Sequence, residues 1–128
     1  MVQQITKGIK ISVIPRFEGT LINKQRECHA FSYTITIENQ SKVPVQLLSR
    51  HWIIKDSLKP IEIVEGDGVI GVRPLLPPGE KHAYSSGCLL QSPFGSMEGH
   101  YIFRNPNTYE KFKIPIPLFK LHAAFALN

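Results

Sequence analysis

Long apolar runs are missing from this sequence. No stretch of its 128 residues approaches the length of a membrane-spanning helix. The segment from Met1 to Pro15 is interrupted by Lys7 and Lys10, so it lacks the unbroken apolar core of a secretory signal. A cytoplasmic location, with no membrane partner, is the expectation. Basic clusters are missing too. The 15 Lys and Arg leave a net charge of +5, but no two are adjacent and the 10 acidic residues are interleaved with them. A nucleic-acid footprint concentrates its charge and sets aromatic rings among it. The composition therefore describes a mixed solvated surface with a general attraction for anions. Helix-length segments free of both proline and glycine are also few, because 10 prolines and 9 glycines are spread along the chain.

What is present is strand pattern. Apolar residues make up 42% and charged residues 20%, as in ordinary globular proteins, and the length suits one domain over residues 1–128. From Gly8 to Ile14, apolar Ile9, Ile11 and Val13 alternate with Lys10 and Ser12 until Pro15 interrupts, predicting a first or edge strand. After a polar loop, Cys28 to Asn39 gives the clearest period-two pattern, with Phe31, Tyr33, Ile35 and Ile37 facing one way and Ser32, Thr34 and Thr36 the other. Val45 to Lys55 is apolar on both sides and predicts a buried strand. Shorter strands are expected at Pro60 to Val64 and Val69 to Pro74, split by Glu65 to Gly68. A proline-rich connection from Leu75 to Lys81 then turns at Pro78 and Gly79. His82 to Leu90, Met97 to Arg104 and Lys111 to Phe119 complete the set. Seven to eight strands without a helix predict an all-β, immunoglobulin/fibronectin type III-like antiparallel β-sandwich. Cys28 and Cys88, with Trp52 between them, invite a disulfide across such a sandwich. Cys28, however, shares its parity with the outward Ser32 and Thr34, so free thiols are expected unless a bulge intervenes.

An ordered series of short motifs narrows the reading further. Ser49-Arg50-His51-Trp52-Ile53-Ile54 is followed by Val64-Glu65-Gly66-Asp67-Gly68-Val69-Ile70-Gly71, then Pro78-Gly79-Glu80, Tyr84-Ser85-Ser86-Gly87 and Gly99-His100-Tyr101. Ile114-Pro115-Ile116 with Phe119 and Leu121 completes it. Over nearly its whole length the chain resembles the ApaG family. One departure is the segment Asp56-Ser57-Leu58-Lys59-Pro60, which has no glycine where such domains often turn with one. The resemblance implies a fibronectin type III-like sandwich. It also implies a protein-interaction role, as in the F-box and polymerase-interacting proteins that carry related domains, and a link to cobalt or magnesium tolerance.

Candidate sites are few. Gly66, Gly68 and Gly71 have the spacing of a dinucleotide-binding loop, and Arg73 stands ready to assist an anion. This makes binding of pyrophosphate, a dinucleoside polyphosphate or a divalent cation the alternative expectation. The segment Val72 to Pro78 that follows cannot start a regular helix, and Glu65 and Asp67 repel phosphate, so a bulged hairpin is the plainer reading. Glu98 and His100 share one strand face but lack a third metal ligand, and no metal or cofactor is expected. Ser85 and Ser86 do not have glycine on both sides, as a nucleophile elbow needs, and Cys88 lacks any local sign of activation, so no enzymatic activity is expected. Trp52, Tyr84, Phe94, Met97 and Tyr101 are the types that anchor a protein partner, and equally the types that fill a core. The apolar end from Phe119 to Leu127 suits packing on the sandwich or against a second copy, as in a homodimer.

Overall fold

The computed structural model describes residues 1–123. Among the described residues nine strands follow one another: β1 (Val2–Thr6), β2 (Ile9–Asn23), β3 (Arg26–Asn39), β4 (Val45–Asp56), β5 (Glu62–Asp67), β6 (Leu75–Leu76), β7 (Lys81–Leu90), β8 (Phe94–Arg104) and β9 (Lys111–His122). One sheet has the order β1-β2-β3-β7 and the other β5-β4-β8-β9, with β6 also beside β4. Every pairing is antiparallel, consistent with the immunoglobulin/fibronectin type III-like sandwich expected. The inner faces come from the period-two pattern. Ile9, Ile11 and Val13 of β2 meet Phe31, Tyr33, Ile35 and Ile37 of β3, all at most 5% exposed. Trp52 of β4, Tyr101 and Phe103 of β8 and Ile114 of β9 face them from the other sheet. Full burial of one such side chain contributes about 1.5–3 kcal/mol, so this seam dominates the stability. Strand β9 packs against β1 and β2 and closes one flank, leaving β7 and β5 on the other.

Several boundaries depart from expectation for local reasons. Strand β2 does not stop at Pro15 but runs on to Asn23, so the expected polar loop is strand. Pro15 is tolerated because β1 pairs only as far as Val13, and β2 has no neighbour on that side beyond it. Strand β1 escaped notice because Gln3 and Gln4 break its apolar pattern and it sits at a sheet edge. Strand β5 continues through Glu65 to Asp67, and the expected strand from Val69 to Pro74 is a tight turn in which Val69 bridges Val72. The connection after it carries β6.

Cys28 is buried rather than outward, and so is His29 beside it, at 6% and 5% exposure. Strand β2 bulges between Phe17 and Gly19, opposite Phe31 and Ala30, and the added coiling breaks the simple parity of β3 at this end. Both cysteines are free.

Two buried polar residues tie the loops to the sandwich. Asn39 donates through Nδ2 to the carbonyls of Val43 and Leu76, at 2.8 and 2.9 Å, and accepts from the amide and hydroxyl of Ser41. Asp56 accepts from the amides of Leu58, Gln91 and Ser92, which joins the turn after β4 to the turn between β7 and β8. The segment without a turn glycine, Asp56 to Pro60, is thus anchored by the aspartate that opens it.

Candidate functional site

At the flank where β7 and β5 lie, the sheets enclose a cavity of about 330 Å³. Trp52, Ile54, Val64 and Met97 supply an apolar wall, Tyr33, Tyr84 and Ser86 line it from the other sheet, and Ile70 with Gly71 forms part of the rim. The hydroxyls of Tyr84 and Tyr101 hydrogen-bond each other across the sheets. Ser86 hydrogen-bonds the Tyr33 phenol. Burial pushes the pKa of Tyr33, Tyr84 and Tyr101 upward, and the nearby Arg50 charge opposes that rise in each.

Among the described residues, Arg50 is the one cationic side chain in this lining. It occupies the inward parity of β4, two residues before Trp52 and paired across the ladder with Tyr101. Its Nη1 donates to the carbonyls of Asp67 and Gly68, both at 2.9 Å. Among the described residues no carboxylate forms an ion pair with it. The guanidinium lies over Gly66, where a Cβ would come within 2.6 Å of Nη2. Gly66 is therefore a seat for Arg50.

Part of the glycine segment's main chain is already hydrogen-bonded within the turn. The amide of Gly68 donates to Leu48, and those of Val69 and Val72 donate to each other's carbonyls, so these donors are already committed. Positive φ at Ile70 (46°) and Gly71 (76°) closes a two-residue hairpin turn of the primed type. Arg73 pairs with Asp67 at 3.3 Å. Of the four candidate anion-binding residues, Gly71 lines the cavity, Gly66 lies under the Arg50 guanidinium, Gly68 abuts the Val72 carbonyl and Arg73 is paired with Asp67.

Glu98 and His100 also part company. Glu98 pairs with Lys55 at 3.4 Å, whereas His100 stacks on His51 with ring centres 4.7 Å apart. His51 donates from Nδ1 to Glu65 at 2.7 Å, making a row across the outer face of β5, β4 and β8. Burial, then Lys113 and His51, lower the pKa of His100, and Glu65 raises it. Among the described residues no group of three or more His, Cys, Asp and Glu is placed to hold a metal ion. Ser85 is hydrogen-bonded to Thr34, and burial, followed by the charges of Glu62 and Asp56, pushes the Cys88 thiol up to about 11.

Of the five proposed partner anchors, Trp52, Met97 and Tyr101 are at most 3% exposed and belong to the core, not to an exposed surface. Their parity with Ile54 and Phe103 on long buried strands decides this. Tyr84 is half-buried at the cavity, and Phe94 is exposed beside His122 and Leu118. At the carboxyl end, Phe119 and Leu121 are buried in the core, and the remainder of that apolar end, residues 124–127, lies outside the described residues. Sequence reasoning missed Arg50, although an arginine in register with Trp52 and Ile54 was a legible signal. No helix is long and apolar enough to cross a membrane among the described residues.

Fold and site together define a small two-sheet antiparallel β domain with a cavity between its sheets at one flank. The ApaG domain model matches residues 20–105, and the chain belongs to the ApaG family. Protein ApaG of Acidithiobacillus ferrooxidans is 42% identical over 124 residues, 97% of each chain. That of Azorhizobium caulinodans is 40% identical over the full length of both. Among solved structures, a structural-genomics target superposes with TM-score 0.85 at 35% identity, covering 91% of this chain and 88% of its own. The ApaA protein from Bordetella pertussis gives 0.80 at 38% identity, covering 91% and 94%.

Proposed function

We propose that this ApaG-family domain is a noncatalytic interaction module that accepts an extended segment of a partner protein as an added strand on the free edge of β7. The observation that carries the reading is the contrast among the four sheet edges. Strand β9 carries Pro115, Pro117 and three lysines, β5 carries Glu62, Glu65 and Asp67, and β1 has only five residues. Each of these is a familiar device against edge pairing. Strand β7 is ten residues long, has no proline, and bears a single charge, Lys81, at its start. Main-chain pairing along such an edge supplies affinity, and alternate side chains supply specificity. A noncatalytic role is supported by the state of the candidate nucleophiles: Ser85 and Ser86 are engaged in side-chain hydrogen bonds and the Cys88 thiol is held protonated. The free thiols suit a reducing compartment, and we assign the domain to the cytoplasm on that ground.

The test is photo-crosslinking in the native cell, with the reactive residue placed at Ser85 or Leu89 on β7 and, as a control, at Ile5 on β1. Reproducible adducts from β7 and none from Ile5 are expected, and an adduct of twice the chain mass identifies the partner as a second copy. Absence of adducts from β7, or equal yields from Ile5, overturns the proposal.

A further inference from the structure

We propose that the cavity between the sheets binds a monocarboxylate with an apolar or aromatic body, its carboxylate held by Arg50. The inference goes beyond strand addition at β7 and does not depend on it. Three observations carry it. First, Arg50 is a half-buried charge without an ionic partner among the described residues. Of its two carbonyl bonds the one to Asp67 is exposed and the one to Gly68 part-buried, so the guanidinium stands at the cavity's mouth, where an incoming anion can reach it. Its Nη1 is committed to two neutral carbonyls, while Nε and Nη2 have no acceptor among the described residues. Two N–H groups in a rigid plane are the natural complement of a carboxylate.

Second, the rest of the lining fits the body of such a ligand and disfavours a polyanion. Trp52, Ile54, Val64 and Met97 offer apolar and aromatic surface, and the Tyr84 phenol lies within the same wall. Asp67 also lines the cavity and is offset by its ion pair with Arg73, so a dianionic phosphate would meet one uncompensated cation, Arg50. A single negative charge balances the site.

Third, the rim carries a residue that local structure alone disfavours. Ile70 is β-branched, 63% exposed and held at φ 46° in a turn position that favours asparagine or glycine. An exposed apolar side chain kept at such a position, over the mouth of an apolar cavity, suits contact with a ligand body.

The experiment titrates the isotopically labelled full chain with trans-cinnamate, with its neutral amide, and with inorganic pyrophosphate, reading amide shifts by NMR. Cinnamate at millimolar concentration is expected to produce saturable shifts at Gly66 to Gly71 and at Ser86 and Gly87. Its amide and pyrophosphate are expected to bind more weakly. Arg50→Gln is expected to weaken cinnamate about tenfold or more. Ile70→Asn serves as a second variant that cannot be dismissed as unfolded, since asparagine relieves the turn, and it should weaken binding several-fold. A free acid and the acidic residue of a bound polypeptide share this chemistry, so a heptapeptide of alternating valine and threonine with one glutamate forms a further arm. Additional shifts at Ala83, Ser85 and Leu89 mark the peptide as the source, and shifts confined to the cavity mark the free acid.

Absence of saturable binding by both probes, equal binding of acid and amide, tighter binding of pyrophosphate, or full affinity in Arg50→Gln overturns the proposal. Failure of crosslinking at β7 leaves it standing, because the free acid needs no added strand.

Discussion

Gly68→Ala separates a structural role for the glycine segment from a phosphate-binding one. Gly68 has φ 58°, and a Cβ built there falls 2.1 Å from the carbonyl oxygen of Val72. The left-handed conformation costs a non-glycine residue about 1 kcal/mol. Relief of the clash requires the oxygen to retreat by about 1 Å or more, more than a packed backbone yields without losing bonds. That oxygen accepts from Val69 at 2.8 Å, and the return bond from Val72 is 3.1 Å, so two main-chain hydrogen bonds are at risk. At about 1 kcal/mol each, the sum is about 3 kcal/mol. The unfolding entropy of a 128-residue chain is about 0.27 kcal/mol per degree, so Tm should fall by about 11 °C.

Gly71→Ala is the control. Its φ is 76° but nothing lies within 4 Å of the added Cβ, so only the conformational cost of about 1 kcal/mol, or about 4 °C, is expected. Calorimetric melting of the two variants measures both, and pyrophosphate should leave the wild-type Tm unchanged. A Gly68→Ala variant melting within about 4 °C of wild type, or level with Gly71→Ala, refutes this account of the turn.

Asp56→Ala removes a buried acceptor of three main-chain amides, and urea unfolding should show a loss of about 3 kcal/mol. His100 should titrate below 6.5 by NMR, and Lys113→Gln should raise its pKa by removing a neighbouring positive charge. Because its folded pKa is depressed, the unfolded chain takes up that proton first. The stability linked to His100 is therefore complete above pH 6.5 and declines as pH falls toward the folded value. Cys88 should alkylate at pH 8 about 100-fold more slowly than a free thiol, since burial lifts it from 9.0 to about 11 and reduces the thiolate fraction accordingly.

Much of the sandwich was legible because buried antiparallel strands must alternate. Phe31 to Ile37 announce their face at a spacing of two, and the core confirms it. Legibility failed where the cause lies in a neighbour. Pro15 ends a strand only if a partner needs its missing N–H, and whether β1 reaches that far is not written near Pro15. Cys28 obeys a parity that a bulge on another strand cancels. The three glycines looked like one motif but serve separate ends, since Gly66 seats Arg50, Gly68 clears Val72 and Gly71 turns the chain.

By itself, then, the sequence determined an all-β domain, its main strands, the inward face from Phe31 to Ile37 and the ApaG family, because alternation and turn chemistry act over a few residues. Only the tertiary structure decided that Arg50 lines the cavity without an ionic partner among the described residues, that the histidines stack instead of joining Glu98, and which strands lie at the sheet edges among the described residues. Those outcomes depend on which strands become neighbours, and pairing between residues far apart in the chain leaves no local trace.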